Sequence, residues 1–199
     1  MKSDFLTPPE ILEMGFASVG SEVRISRHAL FFGPERISIG DNTRIDAFCV
    51  LSAGSRRLAI GSHVHIGTYT AILGRADVEI GDYASISARC LIYSSNDDYS
   101  GAAMAGPTVP DEYRNTVDAP VIIHGHAMIG AGCILLPGIT IGESAGVGAA
   151  SLVKEDVAPF TMVAGVPARV ISRRTGEHRV MAERLNEIER RDPPRDPRQ

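Results

Sequence analysis

Between Val121 and Val153 the chain repeats itself every six residues. An aliphatic side chain stands at Ile123, Ile129, Leu135, Ile141, Val147 and Val153. Glycine follows it at Gly130, Gly142 and Gly148. Two places before each aliphatic come Val121, Ala127, Cys133, Ile139, Ala145 and Ser151, most of them smaller. A helix needs a period near 3.6 and a half-buried strand a period of 2, so neither describes this stretch. A six-residue period is that of a parallel β-helix, in which three short strands complete one turn of a triangular coil.

The same frame runs back toward the N-terminus when a residue or two is allowed at each coil boundary. It predicts coils at Val19, Ile25 and Phe31, at Ile39, Ile45 and Leu51, at Ile60, Ile66 and Ile72, and at Ile80, Ile86 and Ile92. The 121–153 stretch supplies two more. The expected fold is therefore all-β, a parallel β-helix of about six coils. Aliphatics in these slots point into a prism and stack on the coil above, giving one continuous core. With strands about 4.8 Å apart, six coils rise roughly 29 Å. Cys49, Cys90 and Cys133 all occupy the smaller inward slot, where free cysteine acts as a small packing residue.

The frame breaks once. From Ile92 to Ile123 there are 31 residues where six would continue it. This insertion, 94–118, carries polar, aromatic and proline residues, among them Asn96, Asp97, Asp98 and Tyr99, and reads as a loop shaped for binding. Residues 1–18 form an N-terminal cap with a short helix from Pro9 to Met14. The β-helix covers 19–153. The extension 154–191 carries a charged helix over about 177–190, and 192–199 read as a disordered tail.

The net charge of −4, from 20 basic and 24 acidic side chains, favours neither nucleic acid nor an anionic membrane surface. No apolar run suits a signal peptide or a membrane span. Three cysteines without a CxxC pair fit a reduced, cytoplasmic protein.

With the coils, the loop after coil four, Leu136-Pro-Gly-Ile-Thr-Ile-Gly142 and Ala164-Gly-Val-Pro-Ala-Arg-Val170, residues 19–175 resemble the hexapeptide-repeat acyltransferases. His63-Val-His-Ile-Gly67 and Ser95-Asn-Asp-Asp-Tyr-Ser-Gly101 look most like the galactoside O-acetyltransferase and nucleotide-amino-sugar N-acyltransferase branch. The resemblance implies a left-handed coil, a homotrimer with active sites between prisms, acetyl-CoA as co-substrate and no metal. It implies acetyl transfer to a hydroxyl or amino group of a sugar or nucleotide-linked sugar, for surface polysaccharide. By position it assigns Ala131, Ala149, Lys154 and Arg169 to coenzyme A: small residues admit the pantetheine arm to the backbone, and cations meet its phosphates. One departure is Glu155, where some relatives carry a second basic residue.

An alcohol or ammonium acceptor attacks a thioester poorly until it loses a proton, a task suited to histidine. Relatives of the galactoside type place that histidine in the loop after coil four. Here Asn96, Asp97 and Asp98 stand there, and no histidine lies between His65 and His124. Either Asp97 or Asp98 is the base, or a histidine on the prism supplies it. His65, just before Ile66, points outward, and we expect it to be the base, with Asp98 orienting it or holding the sugar. His63 and His126 share one turn slot two coils apart, with Tyr83 between, and are candidates for acceptor binding beside Asn96, Asp97 and Tyr99. Two other readings of the prism remain. A γ-carbonic-anhydrase-like metalloenzyme needs three converging imidazoles, and the His-x4-His pair of that type is absent. A non-catalytic scaffold would have no need of the loop, Lys154 or Arg169.

Overall fold

The six-residue frame is realised as three parallel sheets, each receiving one short strand per turn. The computed structural model describes residues 4–191, so the 192–199 tail lies outside the described residues. On the first sheet Val19, Ile39, Ile60, Ile80, Ile123 and Ile141 pair in register. The second sheet aligns Ile25, Ile45, Ile66, Ile86, Ile129 and Val147. The third aligns Phe31, Leu51, Ile72, Ile92, Leu135 and Val153. Every slot assigned from the sequence is thus paired with its counterpart one coil away. The insertion leaves after Ile92 and coil five resumes directly on coil four. Six coils are complete. A seventh turn begins with a bridge between Val157 and Ile141 and continues in Thr161–Gly165, which pairs with Gly146–Val147. It is closed by the antiparallel strand Ala168–Arg173, across a turn with a cis Val166–Pro167 peptide.

Side chains of the second-sheet column from Ile25 to Ile129 are wholly buried. Fully burying such a side chain is worth about 1.5–3 kcal/mol, so this column alone is a large share of the driving force. The smaller slots at the corner before the third sheet do more than fill space. The Cys49 thiol donates to the Gly67 carbonyl at 3.2 Å, Cys90 to Gly130 at 3.2 Å and Cys133 to Gly148 at 3.1 Å, each one coil further on. Thr70 donates in the same way to the Ser87 carbonyl at 3.0 Å. Burial pushes the Cys49 and Cys90 thiols up to about 11, which leaves them protonated and unreactive.

Turns at the corner between the first two sheets bring backbones into near contact. A Cβ added at Gly81 would lie 2.6 Å from the Gly125 nitrogen in the next coil, and backbone held in two ladders cannot retreat. Gly81→Ala is expected to destabilise by about 1–3 kcal/mol in urea unfolding, as overpacking does.

One helix packs at the N-terminal end and a second along the side of the prism. Helix α1 (Pro8–Glu13) buries Ile11. Arg27 grips Glu10 with two hydrogen bonds of 2.6 and 2.7 Å. Helix α2 (Glu177–Arg191) follows the closing strand and runs back along the corner between the first and second sheets. Its His178 lies 3.0 Å from the Ser144 hydroxyl of coil six, while Glu189 accepts a bond of 3.1 Å from His63 of coil three. No described helix is long and apolar enough to cross a membrane.

Candidate active site

His65 stands on the outer face of the second sheet, between Arg44 and Ser85 in register. Its Nε2–H donates to Asp46 Oδ2 at 2.8 Å, and Asp46 also accepts from Arg44 Nε at 2.6 Å. Burial alone would raise the Asp46 carboxyl, but the hydrogen bonds from His65 and Arg44 outweigh it and hold the group below its usual range. A carboxylate bound at Nε2 fixes the tautomer and leaves Nδ1 with a free lone pair, the form a general base needs. Asp46, Gly67, Ser87, Gly130 and Gly148 occupy one position of successive coils, directly after the aliphatic slot. Beside Asp46, Gly67 has no side chain, and a Cβ there would lie 2.7 Å from the Ala88 nitrogen. The Ser87 hydroxyl has no partner among the described residues.

Asp98 is placed elsewhere. It belongs to the inserted loop, which is not structureless: Ser95–Asn96 pairs antiparallel with Val117–Asp118 at its base. Arg75 reaches across to Asp118 at 3.1 Å. Asp98 accepts from the Ser100 N–H at 2.7 Å and from Asn115 Nδ2 at 3.3 Å. The bonds with Ser100, then that with Asn115, hold its carboxyl below the usual range. The expected pairing of Asp98 with His65 is not made within one chain, where Asp46 on the same wall occupies Nε2 of His65. Asp97 has no hydrogen-bonded or ion-paired partner among the described residues, and Tyr99 is 87% exposed at the tip. Asn96 sits in the short pair at the base of the loop.

His63 and His126 are brought together as the frame predicted. Their rings sandwich Tyr83, at 4.6 Å and 5.0 Å and nearly parallel. Helix α2 covers the stack, with Glu189 on His63, Asn186 accepting from the Tyr83 hydroxyl, and His178 5.4 Å from the His126 ring. Helix α2 thus docks on this stack, although its sequence carries no local sign of where it packs.

Burial, then the neighbouring His178, lowers His126, and burial with Arg174 and Arg179 lowers His178. Glu143 pulls the other way on both, and Asp82 on His126. A histidine lowered by folding stabilises only while neutral. Its contribution is present above the ordinary 6.5 and is lost as pH falls through the lowered value. Acidifying from pH 7.5 to 5.5 is expected to lower the amide protection factors, taken relative to the intrinsic exchange rate at each pH, in the first half of α2 around Val180, while those of the second-sheet column stay unchanged.

The four residues assigned to coenzyme A lie toward the C-terminal coils. Lys154 and Arg169 line one pocket of about 140 Å³ with Glu155, Val157 and Val163. Glu155 comes within 4.0 Å of Arg169, so the departure seen in the sequence sits beside one of the two cations. Ala131 and Ala149 are exposed at the same turn of coils five and six, and a Cβ on Gly130 would lie 2.5 Å from the Ala149 nitrogen. The corner there is bare backbone, open to a thin ligand. Sequence reasoning missed Asp46 and Ser87, although both follow the aliphatic slot directly and so point outward beside His65. Among the described residues no group of three or more His, Cys, Asp or Glu side chains is arranged to hold a metal.

No protein-family model matches the chain. It is 48% identical over 171 residues to the dTDP-4-amino-4,6-dideoxy-D-glucose acyltransferase of Escherichia coli, covering 86% of this chain and 89% of that one. It superposes with a TM-score of 0.90 on AntD, an N-acyltransferase from Bacillus cereus, at 40% identity over 94% of this chain and 99% of that one. That enzyme was solved with dTDP-4-amino-4,6-dideoxyglucose and coenzyme A. A hexapeptide-repeat acetyltransferase from Vibrio cholerae, with a TM-score of 0.57 at 24% identity over 82% of this chain and 74% of that one, shares the fold. The triangular coil and its left hand thus agree with the resemblance read from the sequence, and coenzyme A is bound in the B. cereus neighbour. The chain belongs to the hexapeptide-repeat acyltransferases, as an acyl-CoA-dependent enzyme acting on sugars.

Proposed function

We propose that the protein transfers the acyl group of a coenzyme A thioester to the amine of a nucleotide-linked amino sugar of the dTDP-4-amino-4,6-dideoxyglucose type. The 48% identity to the E. coli enzyme across nearly the whole chain carries this reading. A second observation bears on the residues. Structures of the B. cereus enzyme have been solved with a serine substituted and, in others, an aspartate ten positions further on. In this chain only one serine is followed by an aspartate at that spacing: Ser87, with Asp97. Both have side chains without a partner among the described residues.

Asp97 then receives the acceptor ammonium, with Ser87 as a second hydrogen-bond partner, and His65 takes its proton through Nδ1. The free amine attacks the thioester carbonyl. The tetrahedral oxyanion is met by a backbone N–H of the glycine-lined turns and collapses with loss of the coenzyme A thiolate, which takes up a proton. An amide forms, a thioester breaks, and one proton is released per turnover. Ala131 and Ala149 pass the pantetheine arm, and Lys154 and Arg169 meet the phosphates. Ser87 begins the corner after the second sheet, whereas Asp97 lies beyond the third. A neighbouring prism that brings its loop to this wall completes the site, which supports a homotrimer. The three buried, protonated thiols suit the reducing cytoplasm.

The test is thiol release from acetyl-CoA against a panel of acceptors. Turnover with dTDP-4-amino-4,6-dideoxyglucose and none with simple galactosides is expected. The reverse order would overturn the proposal.

A further inference from the structure

The prism carries two aromatic ladders, and only one of them is covered. On the corner between the first and second sheets, His63, Tyr83 and His126 stack ring on ring beneath α2. On the corner between the second and third sheets the same construction appears in the first three coils. His28 stacks on Phe48 with centroids 5.4 Å apart, and Phe48 on Tyr69 at 5.0 Å with the planes 19° apart. Among the described residues nothing lies over this ladder: Phe48 is 49% exposed and Tyr69 54%. Phe48 and Tyr69 hold their turns at positive φ, a backbone state that bulky side chains seldom adopt. Two large rings exposed and paired on such turns are not a residue of core packing.

The ladder also ends abruptly. At coil four its position passes to Arg89, which is exposed, again at positive φ, and without a side-chain partner among the described residues. Among the described residues the guanidinium groups found over aromatic rings are those of Arg24 and Arg44 on Phe5 and of Arg179 on Phe160, so none of these stacks on Tyr69. Beyond Arg89 the corner shrinks to Gly132 and Ala150. One edge thus presents a stacked aromatic surface, then an unpaired cation, then bare backbone where the acyl donor's thin arm is placed. The His65–Asp46 wall and Ser87 border it directly. A flat ring joined to a diphosphate complements the first two parts in both shape and charge.

We propose that the His28–Phe48–Tyr69 ladder is the base platform of the acceptor site: the nucleobase stacks as the next rung on Tyr69, and Arg89 meets the diphosphate. This rests on the nucleotide-sugar reading above and assigns the part of that substrate remote from the amine. A stacked base gains from every aromatic face whatever its hydrogen-bonding edge. The platform therefore confers affinity for the nucleotide as a class, and the loop and wall choose the sugar.

The experiment measures binding of thymidine diphosphate, without turnover, to the full chain by calorimetry, with the oligomeric state followed by light scattering. Tyr69→Ala is expected to raise the dissociation constant about 5- to 100-fold, the range of a lost base–aromatic stack. Tyr69→Phe, which keeps the ring, should bind as the wild type does, and Arg89→Gln should weaken thymidine diphosphate without affecting coenzyme A. Unchanged thymidine diphosphate binding in Tyr69→Ala would overturn the inference, as would an altered oligomeric state with binding intact, since the ladder would then be a contact between copies. If the wild type binds no thymidine diphosphate yet acylates an amino sugar lacking a nucleotide, the inference falls while acyl transfer stands. If thymidine diphosphate binds in a ladder-dependent manner and no amino sugar nucleotide is turned over, the platform stands and the proposed reaction falls.

Discussion

Ile66→Ala is expected to cost about 3–5 kcal/mol, enough to consume a large part of the stability of a domain this size. Ile66 is fully buried and stacked between Ile45 and Ile86, in a column where the neighbours above and below are also isoleucine. In most cores a truncated side chain is partly compensated as neighbours settle into the space. Here the rise between coils is set by the backbone hydrogen bonds of three sheets, so Ile45 and Ile86 cannot approach one another and the cavity stays open. Ile66→Val, which removes a single methyl group, should cost only about 0.5–1.5 kcal/mol. Phe31, only partly buried in the terminal coil, should tolerate truncation better than Ile66 does. Urea unfolding with an unchanged slope measures all three. A cost below 1 kcal/mol for Ile66→Ala would mean that the stack relaxes and that the column is not the main support of the fold.

The second large effect is on turnover. Asp97→Asn is expected to lower kcat/KM for the amino sugar nucleotide about 10²- to 10⁴-fold, the range for losing a group that handles the reacting proton or its carrier. Ser87→Ala should lower it less, since it removes a neutral partner. Both variants should unfold like the wild type, because neither side chain holds a partner among the described residues. Asp98→Asn provides the contrast. It loosens a turn through Ser100 and Asn115, and its effect on turnover should be under tenfold. Equal losses at Asp97 and Asp98 would show that the loop acts through its shape alone.

The difference between these two predictions is also the difference between what the sequence discloses and what it does not. The core slots are readable because they repeat: an aliphatic every sixth residue has to face the same way in every coil, and the break after Ile92 marks the insertion by contrast. Inward-pointing Cys49, Cys90 and Cys133 follow from the same frame, though not their hydrogen bonds to the next coil. The outward side is readable only one residue at a time. His65 is exposed by the frame, and the Asp46 beside it was available from the same count. Nothing in the count itself marks it as the partner of His65. Asp98 looked free in sequence and is tied by two bonds whose donors, Ser100 and Asn115, lie 2 and 17 residues away. His63 and His126 were correctly placed on one edge, yet their cover comes from a helix more than 50 residues further along. Long-range docking of this kind leaves no periodic trace.

The most direct test of the account is a crystal structure of the protein with coenzyme A and dTDP-4-amino-4,6-dideoxyglucose. The sugar amine is expected within about 3 Å of Asp97 and Ser87, on the wall that carries His65, with the thiol arriving along Ala131 and Ala149. An amine bound away from both Asp97 and Ser87, or coenzyme A lying off that bare corner, would contradict it.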